Sequence, residues 1–112
     1  MDKNWFNGIP VEITVSDTEG RILEMNDASG KVFEKYGGKD LIGNLLKDCH
    51  NNNSLAIMNK MLQEGSANVY TIEKNGIKKM IFQCPWYNNN EIAGLVEFSF
   101  VIPAEMPHFV RS

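Results

Sequence analysis

Cys49 and His50 stand side by side near the middle of the chain, with Ser54 four residues beyond the histidine. A thiol becomes a nucleophile or a soft ligand when it loses its proton, and an imidazole can hold haem iron or move a proton near neutral pH. The plainer duty for His50 is a loop histidine that bonds the backbone around Asn51-Asn52-Asn53. Cys84 lies far along the chain and forms no CxxC pair with Cys49, so both read as reduced thiols. His108 falls in a tail punctuated by Pro103 and Pro107 and reads as solvent-exposed. Asp17 with Glu19, and Glu34 with Asp40, are acid pairs by proximity alone, and turn or surface duty accounts for all four. No GxGxxG, Walker loop, HExxH or nucleophile elbow occurs, and the glycines fall where turns and helix ends need them. The expectation is a protein that is not an enzyme.

The elements that must position these groups follow from periodicity. Val11 to Ser16 alternates apolar and polar residues with β-branching, the pattern of a half-buried strand. Asp17-Thr18-Glu19-Gly20 supplies a turn into a second strand, Arg21 to Met25. Asn26 and Asp27 cap a helix of about ten residues that carries Ala28, Val32, Phe33 and Tyr36 on one stripe and ends at Gly37-Gly38. A short helical turn over Lys39 to Gly43 and an irregular Leu45-Leu46 segment follow. Ser54 then caps a helix through Glu64, striped by Leu55, Met58, Met61 and Leu62 and stopped by Gly65.

Beyond Ala67 the period drops to two. Val69 to Lys74 and Ile77 to Trp86 flank Asn75-Gly76, a strong two-residue hairpin signal. Pro85 implies an edge, a bulge or the end of pairing. Asn88-Asn89-Asn90 turns the chain into a last strand, Glu91 to Val101. This order predicts an α+β fold, a five-stranded antiparallel sheet with short helices over one face. Residues 1–10 read as an N-terminal segment, 11–102 as the domain and 103–112 as a tail.

On these strands Met80, Phe82, Cys84 and Trp86 share one face, as do Phe98 and Phe100 on the neighbour, and an apolar stripe of period two is expected to pack against the helices. Ile81 and Leu95 then fall on the opposite, outer face beside Ile77 and Ala93. Contiguous apolar surface of that kind marks a partner site, so Ile81 and Leu95, with Trp5 and Phe6, are the expected homodimer interface.

Composition sets outer limits. With 112 residues, 43% hydrophobic and 22% charged, the chain is of single-domain size and can bury one core without disulfides or a structural metal. A net charge of −3, without a basic cluster longer than Lys78-Lys79, argues against a nucleic-acid partner. No apolar run reaches the ~20 residues of a membrane span, and the first residues lack a secretory h-region, so the expected location is the cytoplasm with no membrane partner.

The string Ile13-Thr14-Val15-Ser16-Asp17-Thr18-Glu19-Gly20-Arg21-Ile22-Leu23-Glu24-Met25-Asn26-Asp27-Ala28 resembles the opening of a PAS domain, and Leu41-Ile42-Gly43, the later helix and three closing strands fit the same pattern. The resemblance covers about residues 11–102. Gly43 to His50 followed by Ser54 is similar to a bacterial subgroup with a Cys-His-Pro run and a nearby serine, with Asn51 here in place of the proline. PAS domains are sensory and dimerisation modules of signal transduction, and the resemblance implies a pocket between the helices and the sheet. Its candidate lining is Phe33, Tyr36, Cys49, His50, Ser54, Met58, Phe82, Cys84 and Phe98. The implied function is a sensor that binds a small molecule there, pairs as a homodimer, or both, with output supplied by a separate signalling protein. The alternative is a haem sensor using His50, and a second is a small ligand-dependent enzyme. No metal site is expected unless haem is bound. Flavin is not expected, because light-oxygen-voltage domains set their cysteine in an Asn-Cys-Arg-Phe-Leu-Gln run and Cys49 has Asp48 and His50 as neighbours.

Overall fold

The computed structural model describes residues 2–48 and 51–112. A short helix α1 (Asn4–Gly8) precedes strands β1 (Glu12–Asp17) and β2 (Ile22–Met25) and helix α2 (Asp27–Val32). Three 3-10 turns follow at Glu34–Tyr36, Gly38–Leu41 and Leu46–Asp48, then helix α3 (Asn52–Glu64) and strands β3 (Asn68–Lys74), β4 (Ile77–Asn88) and β5 (Glu91–Val101). The strands form one five-stranded antiparallel sheet in the order β2-β1-β5-β4-β3. The architecture is α+β, with the helical segment inserted between the first two strands and the last three.

The first hairpin turns on Asp17, whose Oδ1 accepts the backbone N–H groups of Glu19 and Arg21, both at 2.9 Å. This is the local side-chain bond that favours aspartate in turns. β2 is an edge strand, and residues 43–46 run along it: Gly43 N–H donates to Ile22 O at 2.8 Å, Ile22 N–H to Asn44 O at 2.9 Å and Leu46 N–H to Gly20 O at 2.7 Å. Those bonds satisfy a row of backbone groups that would otherwise offer a template for foreign strands.

Asn26 carries the turn from sheet to helix. Its Oδ1 accepts Ile13 N–H at 3.0 Å and Ser29 N–H at 3.1 Å, and its Nδ2 donates to Phe6 O at 3.0 Å and Val11 O at 2.6 Å. One fully buried amide therefore ties the N-terminal segment, β1 and α2 together.

Two local expectations are corrected, and the edge expected at Pro85 holds. The ten-residue helix breaks after Val32, where Phe33 leaves helical geometry at φ −96° and ψ 18° and Gly38 N–H returns to Phe33 O at 2.9 Å. Gly37 and Gly38 sit at φ 116° and 57°, so the chain closes tight turns there instead of continuing the helix. The cap of α3 is Asn51, whose side chain accepts Ser54 N–H at 2.9 Å, so Ser54 lies inside the first turn. Pro85 sits within β4, just past the last β3 partner Gln83, where β4 has β5 alone beside it and no ladder donor is lost toward β3.

A larger correction concerns the faces of the sheet. Ile13, Phe98, Phe82 and Val69 lie opposite one another across β1, β5, β4 and β3, and so share one face. Thr14, Glu97, Gln83 and Asn68 form the adjacent row on the other face, and that face looks toward the helices. The expected arrangement is inverted. Ile81 and Leu95 are only 5% and 7% exposed beneath the helical side, while Phe82, Cys84 and Phe98 point to the outer face. The stripe rule assumes that the helix-facing side is solid apolar core; here that side builds a hollow with polar groups on its floor. Trp5 and Phe6 belong to α1, which packs against α2, with Phe6 buried and Trp5 half open to solvent.

Candidate ligand-binding cavity

Between the inner face of the sheet, α2 with its following turns and α3 lies a cavity of about 750 Å³, inside the ~300–1,000 Å³ range of small-molecule sites. Its walls are apolar and each has a local cause. Ile22 and Met25 come from β2, Phe33, Tyr36, Leu41 and Leu46 from the turns, and Ile57, Met58 and Met61 from one face of α3, where three- and four-residue spacings stack side chains. Met61 is almost fully buried, whereas Tyr36 is 63% exposed, so the turn side of the cavity opens to solvent.

The floor is polar and ordered by strand register. Thr14, Glu97, Gln83 and Asn68 stand on four neighbouring strands in one row. Asn68 Nδ2 donates to Gln83 Oε1 at 2.9 Å, and Gln83 Nε2 donates to Glu97 Oε2 at 3.2 Å, so both amides pass their donors toward the carboxylate. At the other end Thr14 Oγ1 and Ser29 Oγ share a hydrogen bond of 2.6 Å. Tyr70 borders the row, and burial first, then the charge of Glu97, raises its phenol above the ordinary tyrosine value, which keeps the hydroxyl protonated at neutral pH. A smaller hollow of about 210 Å³ adjoins, sharing Thr14, Phe33, Tyr70 and Glu97 with the first. Within it Lys79 Nζ lies 2.7 Å from Glu12 Oε2.

Of the pocket residues expected from sequence, Phe33, Tyr36, Ser54 and Met58 line the cavity together. Phe82, Cys84 and Phe98 do not, because their side of the sheet faces away. Cys49 and His50 lie outside the described residues. Burial pushes the Cys84 thiol up, which keeps it in the weakly nucleophilic protonated form. Among the described residues no group of three or more His, Cys, Asp or Glu could hold a metal ion, and no helix is long and apolar enough to cross a membrane. Sequence reasoning missed the floor residues Thr14, Asn68, Gln83 and Glu97. A usable signal existed: a two-residue turn at Asn75-Gly76 fixes Asn68 opposite Gln83, two amides on one face.

No family model matches the chain and no curated protein matches it. Solved structures do. The fold defined above is an α+β domain with a cavity over its sheet, and comparison identifies that fold as similar to the PAS fold. The PAS domain of the histidine kinase ThkA superposes with a TM-score of 0.65 at 18% identity, covering 80% of this chain and 96% of its own. The Aer2 receptor from Vibrio cholerae, described as a dual PAS-heme oxygen sensor, gives 0.63 at 14% identity, covering 83% and 95%. VqmA bound to DPO gives 0.67 at 15% identity over 89% of this chain, which spans about half (55%) of VqmA. Another VqmA structure, from Vibrio cholerae, is described as a dimer.

Proposed function

We propose that the chain is a sensory module that binds a small organic molecule in the 750 Å³ cavity and passes its occupancy to a signalling partner. One observation carries this reading: the helix-facing side of the sheet, where a purely structural domain would pack solid apolar core, holds an aligned row of hydrogen-bonding side chains under apolar walls. A few convergent polar groups within an apolar concavity are what orient a small ligand. Neighbours described as an oxygen sensor and as ligand-bound support the sensory class. No reaction is assigned to the chain.

A second reading, compatible with the first, is pairing with another copy through the outer sheet face. Met80, Phe82, Phe98 and Phe100 lie there on adjacent strands, an apolar surface that a soluble protein rarely leaves uncovered. The interface expected at Ile81 and Leu95 is replaced by this one.

Native mass spectrometry of the purified full chain, followed by thermal denaturation before and after removal of bound small molecules, tests the sensory reading. A co-purified species whose removal lowers Tm supports it, because a ligand that binds only the folded state stabilises it by mass action. A chain that carries nothing, and whose Tm no member of a metabolite library raises, overturns it.

A further inference from the structure

We propose that the 210 Å³ hollow beside the main cavity is a second chamber of the same ligand site, built for the uncharged oxygen end, a carbonyl or a hydroxyl, of a molecule whose apolar body fills the 750 Å³ chamber. This deepens the reading of the cavity as a small-molecule site and rests on it. The two spaces share Thr14, Phe33, Tyr70 and Glu97, so one molecule can reach from the first into the second. Their surroundings differ. Phe33, Leu41, Met58 and Met61 stand round the main chamber, whereas Glu12, Ser29, Lys79 and Ser99 line the hollow and not the main chamber. A water molecule takes about 30 Å³ in the liquid, so the hollow has room for a head group of a few heavy atoms.

Ser99 carries the assignment. It stands on the helix-facing side of β5, opposite Glu12 on β1 and Ile81 on β4, and is only 6% exposed. Thr14 and Ser29 bond each other at 2.6 Å, but the Ser99 hydroxyl has no hydrogen-bond partner among the described residues. Every side-chain nitrogen and oxygen sealed from open space, among the described residues, does have a partner. The Ser99 hydroxyl therefore opens onto space, and the hollow is the space it lines. Leaving such a group unpaired costs free energy that a ligand oxygen recovers. Beside it, Lys79 Nζ holds Glu12 Oε2 at 2.7 Å, with the two side chains 27% and 16% exposed. An ammonium has three donors and Glu12 takes one, which leaves two for an acceptor oxygen. The pair is neutral as a whole. A ligand carboxylate would gain from Lys79 and lose to Glu12, an amine the reverse, and either ion would shed its water without a counter-charge of its own. An uncharged oxygen accepts from the ammonium and from the serine without that loss.

The test uses probes that share a phenylbutyl body and differ at its end: 4-phenyl-2-butanone, 4-phenyl-2-butanol, butylbenzene, 4-phenylbutanoate and 4-phenylbutylamine. Dissociation constants are measured by saturation-transfer NMR and calorimetry on the wild-type chain and on Ser99→Ala, Glu12→Gln and Lys79→Met variants, each checked by a thermal melt. The ketone and the alcohol are expected to bind the wild-type chain about tenfold or more tightly than the hydrocarbon, the acid or the amine. Ser99→Ala, which removes one oxygen and little volume, is expected to weaken both by about fivefold and to leave butylbenzene unchanged. Breaking the ion pair is expected to admit ions by sign. Glu12→Gln, which leaves Lys79 unbalanced, tightens the acid by about tenfold, and Lys79→Met does the same for the amine. An acid or amine that binds the wild-type chain as tightly as the ketone overturns the inference without recourse to any variant. A ketone affinity that Ser99→Ala leaves unchanged overturns it as well, and so do charged probes that neither ion-pair variant tightens. In each case binding of butylbenzene still upholds the cavity as a ligand site, whereas a chain that binds none of the probes removes support from both.

Discussion

The indole N–H of Trp86 donates to the carbonyl oxygen of Ser16 at 2.9 Å, across the backbone of Gly94. β1, β5 and β4 are thereby locked at one end of the cavity floor, and only a residue without a side chain fits between them. A Cβ on Gly94 would lie 1.8 Å from Ser16 O and 2.7 Å from Trp86 Nε1. Gly94→Ala is therefore expected to destabilise by about 3 kcal/mol or more, the upper range for forced overpacking. Trp86→Phe, which removes the bond and keeps most of the ring, is expected to cost about 1 kcal/mol. Urea denaturation of both variants checks the order; a Gly94→Ala chain as stable as Trp86→Phe would mean that the strands separate more easily than this contact implies.

Asn26 makes four hydrogen bonds from one buried amide. Asn26→Ala leaves two N–H groups and two carbonyls without their partner and is expected to cost about 3 kcal/mol, since each buried group abandoned costs roughly 1–3 kcal/mol and some recover water. Asn26→Asp keeps the helix cap but places carboxylate oxygen against the carbonyls of Phe6 and Val11, so it is expected to be destabilising at neutral pH and partly rescued by acid. Circular dichroism melts at pH 7 and pH 4.5 measure both. An aspartate variant as stable as the native chain at pH 7 would show that the Phe6 and Val11 bonds contribute little.

The elements were legible in the sequence because local signals are strong where the backbone needs a particular residue. Asp17 and Gly20 build the first turn, Asn75-Gly76 the second hairpin and Gly65 the end of α3, each through its own short-range geometry. The cavity was half legible. Phe33, Tyr36, Ser54 and Met58 were found because they sit on the helical side, where any inward residue meets the hollow. The floor was assigned to the wrong face, since alternation tells that two faces differ and not which one is inside. In β5 the apolar set Phe98 and Phe100 alternates with Glu97 and Ser99, and burial pattern alone would turn Glu97 outward. Only the register with Thr14 and Gln83, a long-range property, places it under the helices.

Two groups give the stability an alkaline limb. Burial raises the Cys84 thiol, and burial with the Glu97 charge raises the Tyr70 phenol, so the folded chain holds protons that the unfolded chain has already released. With fewer protons bound in the unfolded state, stability falls as pH rises. The fall begins near the ordinary thiol value of about 8.5 for Cys84 and near about 10 for Tyr70, and each ends at the raised folded value. Both side chains retain solvent contact, so the slopes are shallow. Tm measured from pH 7.5 to 10.5 is expected to decline, with the earlier part of the decline flattened in Cys84→Ser and the later part in Tyr70→Phe. Parallel curves for all three chains would assign the decline to other groups.

Leu95 and Phe98 sit three residues apart on β5 and face opposite sides, and glutamate at each should fail differently. Leu95 is 7% exposed and lines the cavity floor, so Leu95→Glu forces a carboxylate into a buried apolar position beside Ser16. The expected result is a chain that melts far lower or does not fold, because an unpaired buried charge is among the costliest single changes. Phe98 is only half buried, on the outer face opposite Phe82 and Ile13. Phe98→Glu is expected to leave the monomer folded, within roughly 1–2 kcal/mol of the native chain on the scale of a partly exposed substitution. If two copies pair through that face, the same change must place like charges together at the interface and shift the population from dimer to monomer. Multi-angle light scattering from 1 to ~200 µM, a span bracketing micromolar association, with a thermal melt on each variant, separates the cases. A folded Phe98→Glu chain that remains a dimer would move the interface to another surface, and a folded, dimeric Leu95→Glu chain would contradict the inward placement of Leu95 itself.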